Sequence, residues 1–313
     1  MTTRPTVFID GEAGTTGLEI HRRLAGRTDI EIVSLPADSR KDPVARRRVL
    51  NEVDLAILCL PDDASREAAA MAAGGPTRLL DASTAYRTDP DWVYGFAELA
   101  PGHAQRIAEA KRVSNPGCYP TGGIALLRPL VEAGVLGRDY PVSVHAVSGY
   151  SGGGKKLIES YESDPPGADA SALRFYGLNL EHKHVPELQV HSGLTHRPIF
   201  LPSVGNWRQG MLVAVPLHLR TLARPVSGAD LHGILDDYYR GQALVRVMPY
   251  EQSAKTSLSH LDVEVLNGTD LLELFVFGHP SHGQATLVAR LDNLGKGASG
   301  AAVQNMGLML GLD

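Results

Sequence analysis

The chain has 313 residues, 43% of them apolar and 21% charged, with a formal net charge of −5. That length admits two ordinary domains with a large core, and the mild acidic balance offers no footprint for nucleic acid or a membrane surface. No apolar run approaches the ~18 residues of a membrane span, and two cysteines without a CxxC pair give neither a disulfide framework nor a metal signature. The opening stretch, MTTRPTVFID, carries no signal-like apolar segment, so the expected setting is cytoplasmic and reducing.

The first third alternates strand and helix patterns. TVFID reads as a strand, TTGLEIHRRLAG as an amphipathic helix and IEIVSL as a second strand. PVARRRVLNE reads as a short helix with an exposed arginine face. VDLAILCL is a continuous apolar run, expected of a parallel strand covered on both faces, with Cys59 as a buried core thiol. DASREAAAMAA (helix), TRLLDAS (strand), PGHAQRIAEA (helix) and KRVSN (strand) complete a βαβαβ order. The fold class is therefore α/β, a Rossmann-type doubly wound parallel sheet, followed by a second α+β domain.

After Tyr140 the texture changes to strands: PVSVHAVS, RPIFLPSV, MLVAVPLHLR, LDVEVLN, LLELFVFG and ATLVARLD. In MLVAVPLHLR, Val213, Val215, Leu217 and Leu219 fall on one face and Ala214, Pro216 and His218 on the other. The interrupting helices are KKLIESYE, LEHKHVPELQVHSG and GADLHGILDDYYR. This sheet is expected to be mostly antiparallel. The small-residue tail GASGAAVQNMGLMLGL reads as a helix returning to the first domain. The expected division is residues 1–117 with 297–313 for the cofactor domain, and 118–296 for the catalytic and oligomerisation domain.

The first strand runs into GEAGTTG, placing Gly11, Gly14, Thr15, Thr16 and Gly17 at a strand–turn–helix junction. Backbone N–H groups and the helix dipole there suit a pyrophosphate. NAD sites usually carry an acid at the end of the second strand. Here Ser39, Arg40 and Lys41 follow instead, residues suited to a 2′-phosphate, so NADP(H) is the expected cofactor.

The second cysteine, Cys118, stands in SNPGCYPTG, after a strand and at the start of a helix. A helix N-terminus favours thiolate, and Pro116 and Gly117 shape the turn, with glycine supplying a backbone angle other residues resist. A thiolate beside a nicotinamide points to acyl transfer onto sulfur followed by hydride exchange. EHKHVPE supplies His182 and His184 near Glu187 for proton transfer. Two residues apart, the histidines would not share a helix face, so only one is expected to act directly.

GEAGTTG, SNPGCYPTG, VSGYSGGGKKLIESYE, EHKHVPEL, LPSVGNWRQGM and LDNLGKGASGAAVQNM occur in order across nearly the whole chain. In this set the sequence resembles the N-acetyl-γ-glutamyl-phosphate reductase family in its shorter form, related to aspartate-semialdehyde dehydrogenase. The resemblance implies an arginine-biosynthesis step, in which N-acetylglutamyl phosphate and NADPH give the semialdehyde and phosphate. It matches Cys118 to the nucleophile and His184, in preference to His182, to the acid–base. It also implies that Ser151, Gly152, Gly153 and Asn293 line the cofactor, that Arg87 and Asn115 meet the substrate, and that the chain forms a homodimer or homotetramer; Glu187, beside the histidines, is expected to meet the substrate as well. Ser203 and Arg208 depart from the longer form, where a histidine and an arginine one position nearer the glycine stand. Rival readings are an aspartyl- or aminoadipyl-phosphate reductase, and a non-catalytic NADP-binding redox sensor, which would not need the histidines.

Overall fold

The computed structural model describes residues 4–250, 260–279 and 281–312. The chain divides into two compact units, Met1–Pro116 with Ala298–Asp313, and Gly117–Gly297. The first holds β1 (Thr6–Asp10), α1 (Thr15–Leu24), β2 (Glu31–Val33), α2 (Pro43–Glu52), β3 (Leu55–Leu58), α3 (Asp62–Met71), β4 (Arg78–Asp81), β5 (Val93–Tyr94), α4 (His103–Glu109) and β6 (Arg112–Ser114). The second contains α5 (Cys118–Glu132), β7 (Ser143–Gly149), α6 (Lys155–Glu162), β8 (Leu173–Phe175), α7 (Val185–Ser192), β9 (Ile199–Gly205), β10 (Met211–His218), α8 (Gly228–Tyr238), β11 (Val245–Val247), β12 (Leu272–His279) and β13 (Gln284–Leu291). The last helix, α9 (Gly300–Leu310), belongs to the first unit.

In the first unit six parallel strands lie in the order β2-β1-β3-β4-β6-β5. Its central strand β3, LAIL, is buried throughout, as an apolar strand between two helical layers must be. One face packs Val7, Ile9 and Ile57 against Ile20 and Leu24 of α1 and against Ala302, Met306 and Met309 of α9. The other packs Phe8, Ala56 and Leu58 against Val49, Leu50, Ala68 and Met71 of α2 and α3. The tail helix thus completes the core it was expected to join.

Two details of this unit differ from the sequence reading. The arginine face of α2 is not wholly exposed. Arg46 is buried and its guanidinium donates to Asp10 Oδ2 at 2.8 and 3.2 Å. Helical spacing turns it inward over β1, where a buried cation is tolerated because a carboxylate meets it. Cys59 lies one residue beyond β3 and is only partly buried, packed against the core rather than inside it. Burial, and then the charges of Asp81 and Asp10, push its thiol up to about 12, which keeps it protonated and unreactive.

The second unit is a seven-stranded mixed sheet in the order β11-β12-β13-β10-β7-β9-β8. Its β12–β13, β13–β10, β10–β7 and β9–β8 pairs are antiparallel, while β7–β9 and β11–β12 are parallel. Period-two alternation holds in β10, where Met211, Val213, Val215 and Leu217 are buried. Leu219 has already left the strand for a 3₁₀ turn. The LDVEVLN segment is not a strand. Residues 263–268 form turns ending at Gly268, whose φ of +77° breaks an extended run.

Helix α5 packs on this sheet and on α7, and one glycine toward each lets it approach closely. A Cβ on Gly122 would stand 2.9 Å from Val213 Cγ2, and one on Gly123 would stand 2.6 Å from Leu188 Cδ1. Its buried length, from Tyr119 to Leu130 apart from Arg128, anchors the residue at its tip, Cys118.

Candidate active site and cofactor cavity

Cys118 is the first residue of α5, with Gly117 as N-cap. The Gly117 backbone is extended, φ −75° and ψ 152°. Any residue can adopt that conformation, so the turn does not draw on glycine's special freedom, contrary to the sequence reading. Its amide N–H donates to Glu187 Oε1 at 2.7 Å. Glu187 is 1% exposed and does not line the cavity beside Cys118. Its carboxylate faces the helix start, where an acid satisfies an end-of-helix donor.

That cavity encloses about 310 Å³ and brings Cys118 together with His182, His184, Gly152 and Gly153, all singled out from sequence. It also brings in Tyr119, Ser148, Tyr176, Arg174 and Lys183, which sequence reasoning did not single out. The histidines are not on a helix. Pro186 sits in the first turn of α7 and His184 is that helix's N-cap, so the HKH stretch precedes it. Without the helical turn between them the rings come within 4.8 Å, edge to face, and both line the same cavity.

Their environments separate their roles. The His184 backbone N–H donates to His182 Nδ1 at 3.2 Å, which puts the proton of the neutral His182 ring on Nε2. Burial, and then the neighbouring Lys183 charge, push His182 down to about 4. It is neutral at physiological pH and holds no extra proton to give. His184 is buried beside the Tyr119 ring, with centroids 5.8 Å apart.

A tyrosine relay braces this wall. The Tyr176 hydroxyl donates to Tyr119 Oη at 3.0 Å, and the Tyr119 hydroxyl donates to the Ser203 carbonyl at 3.1 Å. Burial raises both phenols, and the Cys118 charge adds to it, so both stay protonated donors. At the departure Ser203, the backbone carbonyl accepts from Tyr119 and the hydroxyl donates to Ala146 O at 3.0 Å, and the residue does not line the cavity. Arg208 is paired with Glu162 away from the cavity. The cations on the cavity wall are instead Arg174, held at 3.2 Å by Asp169, and Lys183.

The loop after β7 is held from the end of β13. Asn293 Nδ2 donates to Ser151 Oγ at 2.9 Å, and Asn293 Oδ1 accepts from the Gly210 amide at 2.8 Å. Ser151 and Asn293 are both buried and do not line the cavity, whereas Gly152 and Gly153 do. In the first unit, Asn115 is also committed. Its Nδ2 donates to Ala298 O and its Oδ1 accepts from Asn305, both at 3.0 Å. Arg87 is buried and donates to Ala82 O at 3.2 Å.

The first unit has its own cavity, about 340 Å³, lined by Gly11, Glu12 and Ala13 of the glycine loop, by Arg40 and Lys41, and by Arg46. Gly11 has φ +91°, and a Cβ there would lie 2.3 Å from Cys59 O. A Cβ on Gly17 would lie 2.4 Å from Gly11 O. Both positions admit only glycine, which keeps the loop flat against the strand ends. Gly14 is the N-cap of α1, with Thr15 and Thr16 opening its first turn. Gly14, Thr15, Thr16 and Gly17 do not themselves line the cavity, and the bare backbone of Gly11 and Ala13 with Arg40 and Lys41 on its wall fits a dinucleotide carrying an extra phosphate. Ser39 does not line the cavity, and its hydroxyl donates to Asp38.

A family model described as semialdehyde dehydrogenase, NAD binding domain, matches residues 6–107, and one described as semialdehyde dehydrogenase, dimerisation domain, matches residues 118–293. A Burkholderia cenocepacia protein named N-acetyl-gamma-glutamyl-phosphate reductase is 56% identical, covering 98% of this chain and 97% of its own length. One of the same name from Brucella ovis is 58% identical over 98% and 99%. The chain belongs to the N-acetyl-γ-glutamyl-phosphate reductase family. Solved aspartate semialdehyde dehydrogenases share the family's wider fold. Enzyme II of Vibrio cholerae, complexed with ASA, superposes with TM-score 0.73 at 16% identity, covering 99% of both chains. A probable enzyme of Pseudomonas aeruginosa gives 0.71 at 17%, covering 98% of this chain and 99% of its own. Among the described residues no helix is long and apolar enough to cross a membrane.

Proposed function

We propose that the chain reduces N-acetyl-γ-glutamyl phosphate to the semialdehyde and phosphate, through a thioester on Cys118, using NADPH. The observation that carries this is one cavity holding a cysteine at a helix N-terminus, two histidines and two cations. The Cys118 sulfur attacks the acyl carbon, its proton passes to His184, and phosphate departs with a proton drawn from solvent. First-turn amides of α5 support the developing oxyanion, with the Gly117 amide reserved for Glu187. NADPH, when bound, supplies the hydride that reduces the thioester. His184 then protonates the resulting oxyanion and afterwards takes that proton back as the carbonyl re-forms and the sulfur leaves. His184 takes this part rather than His182 because His182, held down at about 4 by burial and by Lys183, is a poor acceptor for the thiol proton. Arg174 and Lys183 are the counter-charges for the substrate's carboxylate and phosphate.

NADP(H) is favoured over NAD(H) by Arg40 and Lys41 in the first-unit cavity. Leu173, Phe175 and Ile199, each more than half exposed on one face of the second sheet, support self-association there as a homodimer or homotetramer. The setting is cytoplasmic. The reverse reaction tests the assignment. Phosphate-dependent NADP reduction should be fastest with N-acetylglutamate semialdehyde, and vanish when phosphate or NADP is omitted. Preference for aspartate or aminoadipate semialdehyde would overturn the substrate, and absence of any hydride transfer would favour a sensor.

A further inference from the structure

Rossmann sites that take NAD place an acid at the end of the second strand, where it accepts from the ribose 2′-hydroxyl. No such acid follows β2 on the cavity, and Asp38, the nearest in sequence, is turned to Ser39. An acid nevertheless stands at that place, presented from the other side. Glu12, in the glycine loop, lines the cavity and accepts from Ser34 Oγ, one residue past β2, at 3.1 Å. Its other oxygen holds the Arg40 guanidinium at 2.6 Å. Glu12 is 15% exposed at its side chain and Arg40 is 45% exposed, so the carboxylate is the sheltered partner and the guanidinium the one open to a ligand.

Resting on the cofactor reading above, we propose that Glu12 is a specificity-determining residue that moderates the preference for NADP(H) over NAD(H). Two effects follow from its position. A 2′-phosphate that engages Arg40 must share that guanidinium with a carboxylate already bound to it, and like charges are brought together. A 2′-hydroxyl meets an acceptor. The first effect weakens NADPH and the second retains NADH. Arg40 and Lys41 alone would impose a steeper choice. Glu12 does also hold Arg40 in place, and that contribution has the opposite sign. It is the smaller because Arg40 has a second tether, Nε to Leu35 O at 3.4 Å, and because a doubly charged phosphate orients a guanidinium by itself.

The test is binding, read by quenching of protein fluorescence on titration with NADPH and with NADH, in the full chain without substrate. Glu12→Gln keeps the shape and removes the charge. Two like charges ~5 Å apart near a protein surface give about a 3- to 30-fold effect, so Glu12→Gln should tighten NADPH by that order. NADH should hold or weaken, so the NADPH:NADH affinity ratio rises. An unchanged or lower ratio overturns the proposal, the latter showing that Glu12 serves to orient Arg40. Arg40→Gln distinguishes failure of the underlying reading. It should lose NADPH affinity about tenfold or more and leave NADH nearly unaltered. If Arg40→Gln weakens neither cofactor, the 2′-phosphate site itself is misplaced. A thermal melt of each variant with and without cofactor confirms that the compared proteins are folded.

Discussion

Replacement of Glu187 separates a support role from a substrate contact. The residue is 1% exposed and its carboxylate accepts the Gly117 amide at 2.7 Å, one residue before the nucleophile. Glu187→Ala leaves that donor without its acceptor, which costs about 1–3 kcal/mol, and the lost side-chain packing adds ~1 kcal/mol. For a domain of this size each kcal/mol moves Tm by about 2–4 °C, so a fall of roughly 4–16 °C is expected. Glu187→Gln keeps a neutral acceptor and should lose only ~1 kcal/mol, or about 2–4 °C. The start of α5 positions the sulfur, and a misplacement of ~1 Å costs about 10²-fold in rate. kcat should therefore fall for Ala far more than for Gln, with KM for the acyl phosphate little changed. Differential scanning calorimetry and steady-state kinetics read both quantities. A Glu187→Ala protein with unaltered Tm, or a defect confined to KM, would refute the support role.

The His182 ring, held down at about 4 by burial and by Lys183, binds a proton more readily when unfolded. Its contribution to stability is thus complete above about pH 6.5 and is lost as pH falls toward 4. His182→Gln should flatten that decline in urea melts. Activity should survive in His182→Gln and be lost in His184→Gln, read by steady-state kinetics. Arg46→Ala leaves the Asp10 carboxylate buried without its partner and should destabilise by about 3–5 kcal/mol, measured by denaturant unfolding. Arg174→Leu should raise KM for the acyl phosphate about tenfold or more while sparing NADPH affinity, and an unchanged KM would remove it from the substrate.

Much of this is legible in sequence because it rests on local pattern. The parallel strands show as apolar runs, the helices as amphipathic ones, and GEAGTTG and SNPGCYPTG as strand–turn–helix junctions. What escapes depends on distant partners. Strand β8 is three residues at a sheet edge, with too few positions for an alternation to show, yet Arg174 and Tyr176 reach the cavity from it and its continuation. Arg46 resembles its exposed neighbours in sequence, and only the fold brings Asp10, 36 residues earlier, to face it. Glu187 reads as a substrate contact because of its nearness to the histidines, whereas its hydrogen bond crosses 70 residues to Gly117. The histidine pair departs from expectation for a local reason: helical spacing does not hold through a segment that becomes helical only at Val185.

The thioester on Cys118 is the central claim, and acyl transfer without reduction tests it most directly. With N-acetylglutamyl phosphate and no NADPH, rapid quenching and intact-mass analysis should find one acyl group per active chain on Cys118, with a matching burst of phosphate. Cys118→Ser should give neither, while binding NADPH as before. Phosphate release that waits for NADPH, or an acyl group carried by another residue, would contradict the account.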